Sequence, residues 1–129
     1  MPDLMSRALR VLIIEDWDGA REALRLLLER LSCRVDTAAD GTQGMRLALD
    51  GDYDLLICDL NLPGKDGLEV GRALARITPR PYICAYTAYS LPEDRERTRG
   101  AGFDAHIGKG TATEIGELKD LVVQLQARL

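Results

Sequence analysis

One histidine, one tryptophan and one phenylalanine are all that 129 residues contain of those types, and there are three cysteines. Cys33, Cys58 and Cys84 are too far apart for metal-ligand spacing, and their odd number argues against a disulfide framework. Cys58 and Cys84 lie inside apolar runs, so the three read as small buried hydrophobes. An excess of positive charge is also lacking. With 17 Lys and Arg against 21 Asp and Glu, the formal charge is -4, and nothing draws this chain directly to nucleic acid or an anionic membrane. No apolar run approaches the roughly 20 residues that span a bilayer, which excludes membrane insertion by a helix. Met1 to Arg10 lacks the apolar stretch of a secretory signal, so a cytoplasmic location is expected. Linkers, repeats and low-complexity tracts are absent as well, so residues 1–129 are expected to form a single domain.

What is present is the composition of a globular protein, 46% hydrophobic and 29% charged, too apolar for intrinsic disorder. Apolar segments of strand length alternate with helical patterns. Val11-Leu12-Ile13-Ile14 is four branched residues in a row, the signature of a strand covered on both faces, and it runs straight into Glu15-Asp16. Ala20, Ala23, Leu24, Leu27, Leu28 and Leu31 then fall at helical spacing, with Asp16 or Asp18 available as a cap. A strand over Arg34 to Ala38 precedes a helix capped by Asp40, with Met45, Ala48 and Leu49 turned inward. Leu55-Leu56-Ile57-Cys58 is a second buried strand, ending at Asp59. Pro63, Gly64 and Gly67 mark a loop before a helix over Leu68 to Arg76.

Tyr82 to Tyr86 forms a strand finishing at Thr87, and Phe103 to Ile107 a last short strand before Lys109. Between them Leu91 to Gly102 is charge-rich, with little beyond Leu91 and Ala101 to bury. Thr111-Ala112-Thr113-Glu114 has the form of a capping box for a closing helix that places Ile115, Leu118, Val122 and Leu125 on one face. Alternation of this kind predicts an α/β fold: a flavodoxin-like, doubly wound five-stranded parallel sheet in the order 2-1-3-4-5, with helices on both faces. That order puts the first and third strands side by side at the switch point, where Glu15, Asp16 and Asp59 converge.

Carboxylates crowded into one crevice repel each other, and a hard divalent cation resolves the conflict. Magnesium favours oxygen ligands and commonly joins one or two carboxylates to a phosphate, so Glu15, Asp16 and Asp59 are candidate ligands. Asp59 then has the chemistry of a nucleophile toward a phosphoryl group. Lys109 and Thr87, each at the end of its own strand on the same rim, supply positive charge and a hydroxyl donor for the phosphoryl oxygens.

These residues resemble the receiver domains of two-component response regulators, and the resemblance runs through essentially the whole chain. It rests on Glu15-Asp16, on Asp59-Leu60-Asn61-Leu62-Pro63-Gly64-Lys65-Asp66-Gly67, on Thr87-Ala88 and on Lys109, in the family's order. The resemblance implies that Asp59 is the phosphoacceptor of a phosphorelay. Glu15, Asp16, Asp59 and the main-chain carbonyl of Asn61 would bind Mg2+, while Thr87 and Lys109 would contact the phosphoryl group. It further implies a sensor histidine kinase or histidine phosphotransfer protein as donor and a downstream target that the sequence does not identify. Two positions depart from the family's commonest pattern: Gly110 stands where proline is frequent after the lysine, and His106 replaces the usual switch aromatic. Both bear on the output step, in which Thr87 and the residue at 106 move.

The leading reading is a signalling switch that catalyses its own phosphorylation and slow dephosphorylation. A haloacid-dehalogenase-type phosphatase shares the strand-end aspartate, threonine and lysine, but Asn61 stands where that family needs a second aspartate. A flavodoxin-like cofactor protein is disfavoured by the acidic Glu15-Asp16-Trp17-Asp18 loop, where a phosphate cradle needs glycines and hydroxyls. A receiver-like domain that no longer phosphorylates stays open through His106 and Gly110. Plain structural roles also stay open for Thr87 as a strand end, for Lys109 as a solvated lysine and for His106 as a packing residue. Tyr86 and Tyr89, flanking Thr87, are expected to share one side, where one of them compensates for the missing aromatic. Homodimerisation through the exposed face of the closing helix is undecided.

Overall fold

The structure, a computed structural model, describes residues 7–129. The first residues of the expected 1–129 domain, and most of the stretch read as lacking a secretory signal, fall at 1–6, outside the described residues. The elements run β1 (Arg10–Ile14), α1 (Asp18–Arg30), β2 (Arg34–Ala38), α2 (Gly41–Asp50), β3 (Leu55–Cys58), α3 (Gly67–Leu74), β4 (Tyr82–Thr87), α4 (Pro92–Gly100), β5 (Ala105–Gly108) and α5 (Glu114–Gln126). The five strands form one parallel sheet in the order β2-β1-β3-β4-β5, as the alternation predicted. Among the described residues no helix is long and apolar enough to cross a membrane.

β1 and β3 lie at the centre and are buried throughout β3 and over Val11 to Ile14 in β1, which explains their unbroken branched runs. Successive side chains alternate between two cores. On one face Val11, Ile13, Leu55, Ile57, Cys84 and Tyr86 meet Leu24 and Leu28 of α1 and Leu118, Val122 and Leu125 of α5. On the other, Leu12, Ile14, Leu56, Cys58 and Ile83 meet Ala48 of α2, Val70 and Leu74 of α3, Ala101 and Phe103. The three cysteines are free and buried, and burial pushes the Cys33 thiol up to about 11, so none is a ready nucleophile.

Several local expectations change. Neither Asp16 nor Asp18 caps α1; its cap position is Trp17, whose indole offers no acceptor to a helix amide, and Asp18 is already the first helical residue, paired with Arg21. Asp40 does cap α2, accepting from Gln43 N at 2.7 Å. Leu49, however, points outward at 57% exposure, and Leu47 packs in its place. α3 begins at Gly67 and stops at Leu74, with Asp66 as its cap through Leu68 N at 2.7 Å. β5 starts at Ala105, since Phe103 dives between the helices and Asp104 turns to bond elsewhere. Leu91 is exposed, and α4 buries Thr98 instead.

The amino ends of the strands are pinned by two matching devices. Asp54, just ahead of β3, accepts Arg10 N at 2.8 Å and is gripped by the Arg7 fork at 2.6 and 2.7 Å. Asp104, just ahead of β5, accepts Ile83 N at 2.8 Å and the Arg80 fork at 2.8 Å on both arms. The Arg7 bond holds Asp54 below the usual carboxylate range. Burial alone would raise Asp104, but Arg80 and the Ile83 amide outweigh it and bring it down. The opposite rim, where the strands end, is left for the polar residues.

Candidate functional site

Parallel pairing carries the carboxyl ends of β1, β3, β4 and β5 to one edge, because Ile14 lies beside Cys58, Cys58 beside Ala85, and Thr87 beside Gly108. Glu15, Asp59 and Lys109, each just past the end of its strand, and Thr87, the last residue of β4, therefore emerge into the same crevice. Glu15 and Asp59 are joined to the sheet through their own amides: Glu15 N donates to Ala38 O and Asp59 N to Ile14 O, both at 3.0 Å. Lys109 N donates to Thr87 O at 2.9 Å, which ties the loop after β5 to the end of β4.

Glu15, Asp16 and Asp59 are brought together, each offering a carboxylate oxygen within 4.8 Å of the others. Glu15 is 1% exposed and Asp59 7%, whereas Asp16 faces solvent at the open edge. Lys109 Nζ spans the buried pair, donating to Asp59 Oδ2 at 2.8 Å and to Glu15 Oε1. Burial raises the Glu15 carboxyl above its usual range despite the lysine and the Trp17 amide, which donates to Oε2 at 3.2 Å. Burial alone would lower Lys109, yet its bonds to Asp59 and Glu15 prevail and raise it, so it stays charged. Three anionic oxygens face one ammonium, and this deficit of positive charge in an all-oxygen donor set suits a hard divalent cation such as magnesium.

Asn61 N donates to Asp59 Oδ1 at 3.3 Å, so the residue lies beside the cluster and is exposed. Thr87 is buried at the end of β4, and its Oγ1 accepts Tyr89 N at 3.2 Å. That hydroxyl therefore keeps its own proton for another acceptor. His106 is half-buried under the 87–90 turn. Its Nε2 donates to Tyr89 O at 2.9 Å and its Nδ1 lies 3.0 Å from Thr98 Oγ1 of α4. Burial, with the nearby Arg95 guanidinium, pulls the imidazole below its ordinary range. Arg95 also donates to His106 O at 3.0 Å, so α4 is fastened to β5 by polar bonds.

Tyr86 and Tyr89 do not share a side. β4 ends at Thr87, so strand alternation cannot reach Tyr89, which is exposed, while Tyr86 is buried beneath Lys109. Two residues of the site region escaped the sequence reading in this role. Thr98 was lost among charges, though it is the one uncharged polar residue inside α4. The sequence pattern assigns Glu114 to a capping box. The Thr113 hydroxyl instead donates to Glu117 at 3.1 Å, no side chain caps α5, and Glu114 turns back toward the site.

Gly67 shows how closely the fold is built around Asp59. A Cβ at 67 would stand 2.1 Å from Asp59 O and 2.7 Å from Leu60 Cα, main-chain atoms that cannot step aside. Gly67→Ala is expected to lower stability by about 2 kcal/mol and to disturb the crevice. Urea unfolding checks it, and a wild-type midpoint would show that the 59–60 segment yields freely.

The family profile described as response regulator receiver domain matches residues 11–122. The chain is 34% identical over 110 residues to the aerobic respiration control sensor protein ArcB of Escherichia coli (strain K12), covering 83% of this chain and 14% of that protein. It is 34% identical over 100 residues to the transcriptional regulatory protein ResD of Bacillus subtilis (strain 168), covering 78% and 41% respectively. The chain thus spans well under half the length of these relatives. In structure it is similar to the response regulator TrrA of Thermotoga maritima, solved in complex with Mg(2+)-BeF. The TM-score is 0.78 at 31% identity, over 90% of this chain and 97% of that one.

Proposed function

The chain belongs to the response regulator receiver domain family, and from that membership we propose that residues 1–129 form one receiver unit whose phosphoacceptor is Asp59. The observation that supports this most is the ammonium of Lys109 bridging Asp59 and Glu15 at the rim where three carboxylates meet. A carboxylate oxygen of Asp59 attacks the phosphorus of a phosphohistidine on a sensor kinase or phosphotransfer protein. The P–N bond breaks, its electron pair leaves with the imidazole, and an acyl phosphate forms at Asp59.

Lys109 already stands at Asp59 Oδ2, so an ammonium is in place where phosphoryl charge arrives. Thr87 has a hydroxyl proton uncommitted by its bond to Tyr89 N and donates it to a phosphoryl oxygen. Glu15, Asp16, Asp59 and the Asn61 carbonyl would hold Mg2+, with Asp16 at the solvent edge. Bound there, the ion supplies neutralisation of the carboxylates and Lewis-acid polarisation of phosphoryl oxygens.

Output begins when Thr87 turns to the phosphoryl group. The amide of Tyr89 then loses its acceptor, the 87–90 turn shifts, and the Tyr89 carbonyl that anchors His106 shifts with it. His106 thereby serves as the switch residue, held by hydrogen bonds where an aromatic ring would be held by packing. α4, which buries little beyond Thr98, is displaced toward a downstream partner.

Incubation with acetyl phosphate and Mg2+ is expected to add one phosphoryl group to the intact mass, and chelation of the metal is expected to prevent it. A mass gain that is indifferent to chelation, or none at all, would overturn the reading.

A further inference from the structure

The two carboxylate oxygens of Glu114 serve different parts of the chain. Oε1 accepts the backbone N–H of Gly110 at 2.6 Å, and Oε2 accepts the hydroxyl of Tyr86. Gly110 directly follows Lys109, and Tyr86 directly precedes Thr87. Above the Tyr86 ring lies the Lys109 ammonium, 5.3 Å from the ring centroid. A closed circuit results: Lys109 rests on Tyr86, Tyr86 bonds Glu114, Glu114 bonds Gly110, and Gly110 is joined covalently to Lys109. It links β4, the loop after β5 and the first turn of α5 around one cation.

Two residue choices make the circuit available. At φ +77 Gly110 adopts a conformation open to glycine and closed to proline, and it offers an N–H that proline lacks. Tyr86 is buried, and burial together with the Glu114 bond pushes its hydroxyl far above the usual range, so it remains a proton donor at neutral pH. Lysine itself is a point charge on a long flexible stem. Here two carboxylates, Glu15 and Asp59, compete for it, so the base of the stem decides how the ammonium is shared.

Resting on the reading of Asp59 and Lys109 given above, we propose that Glu114 is a positioning residue for phosphoryl transfer. By bridging the Gly110 amide and the Tyr86 hydroxyl, it holds the loop that aims Lys109 at the Asp59 carboxylate. Glu114 touches neither phosphate nor metal in this role; it acts through Lys109.

Trp17 provides the readout. It is the one tryptophan in the chain, 70% exposed, and its amide is bonded to Glu15. Its fluorescence is titrated in the full chain with Mg2+ alone, then with beryllofluoride at saturating Mg2+, and the initial rate of modification by acetyl phosphate is measured beside it. Glu114→Ala is expected to leave the Mg2+ midpoint within about twofold of wild type. It weakens beryllofluoride binding, and slows phosphorylation, by about five- to tenfold, the scale of one charge-assisted hydrogen bond. Tyr86→Phe moves both in the same direction by less, and adding it to Glu114→Ala changes little more.

Glu114→Gln recovers most of the loss, since its amide accepts from Gly110 and donates to the Tyr86 oxygen. Glu117→Ala, which removes the same charge one turn along α5, behaves as wild type. Wild-type beryllofluoride affinity and rate in Glu114→Ala overturn the proposal. So does an equal loss in Glu117→Ala, which would make the effect one of charge, or a Mg2+ midpoint that weakens in step. A wild-type protein unresponsive to beryllofluoride, or an Asp59→Asn variant that responds equally, would strike instead at the phosphoacceptor reading beneath it.

Discussion

Asp59→Asn is expected to lose phosphoryl transfer from acetyl phosphate by about a thousandfold or more, with beryllofluoride binding lost alongside. The carboxamide keeps the size of the side chain and its acceptor oxygen but has no anionic oxygen to attack phosphorus. Stability is expected to stay within about 1 kcal/mol of wild type, because the substitution removes one of two neighbouring buried acids that share a single ammonium. Intact mass after acetyl phosphate treatment, measured beside a urea unfolding curve, checks both halves. Undiminished incorporation would move the nucleophile to another residue.

Lys109→Ala has the largest expected effect on the fold itself. Glu15 and Asp59 are both buried, and without the ammonium each faces the other uncompensated. Removing one partner of a buried ion pair costs about 3 kcal/mol or more, and that loss is expected when divalent cations are chelated. In millimolar Mg2+ most of it should return, since the ion takes over the neutralising role and no longer has an ammonium to repel it. The variant is therefore expected to show a larger rise in Tm with Mg2+ than wild type. Thermal unfolding with and without chelator measures this, and an equal deficit in both would show that the lysine stabilises by packing alone. Phosphorylation should persist at a reduced rate.

Strand placement was legible because the central strands are buried on both faces and must be apolar at every position. The runs at 11–14, 55–58 and 82–86 could be little else, and each delivered its polar neighbour to the crevice. Helix faces were read less well at their ends. Ile115 falls in the apolar stripe of α5 by spacing, yet it is 51% exposed, and the buried stripe begins only at Leu118. Leu49 fails similarly at the last turn of α2. The pattern Thr-x-x-Glu is also ambiguous: it makes a capping box only if the helix starts just after its threonine, and here α5 starts at Glu114, whose carboxylate takes the Gly110 amide and the Tyr86 hydroxyl. Tyr89 was misplaced for a different reason: it lies three residues from Tyr86, an odd separation that puts side chains on opposite faces of a strand, and β4 stops two residues before it.

The grip of Arg7 and Arg80 on Asp54 and Asp104 has a mechanical consequence. With amide bonds from neighbouring strands also converging on those aspartates, the amino margin of the sheet is tied across β1 to β3 and β4 to β5 and resists shear. On the proposed switch, work done by a new charge at the other margin then finds little outlet in strand slippage and passes sideways to α4, which buries little beyond Thr98, so the location of the fulcrum would select the surface that reports the signal.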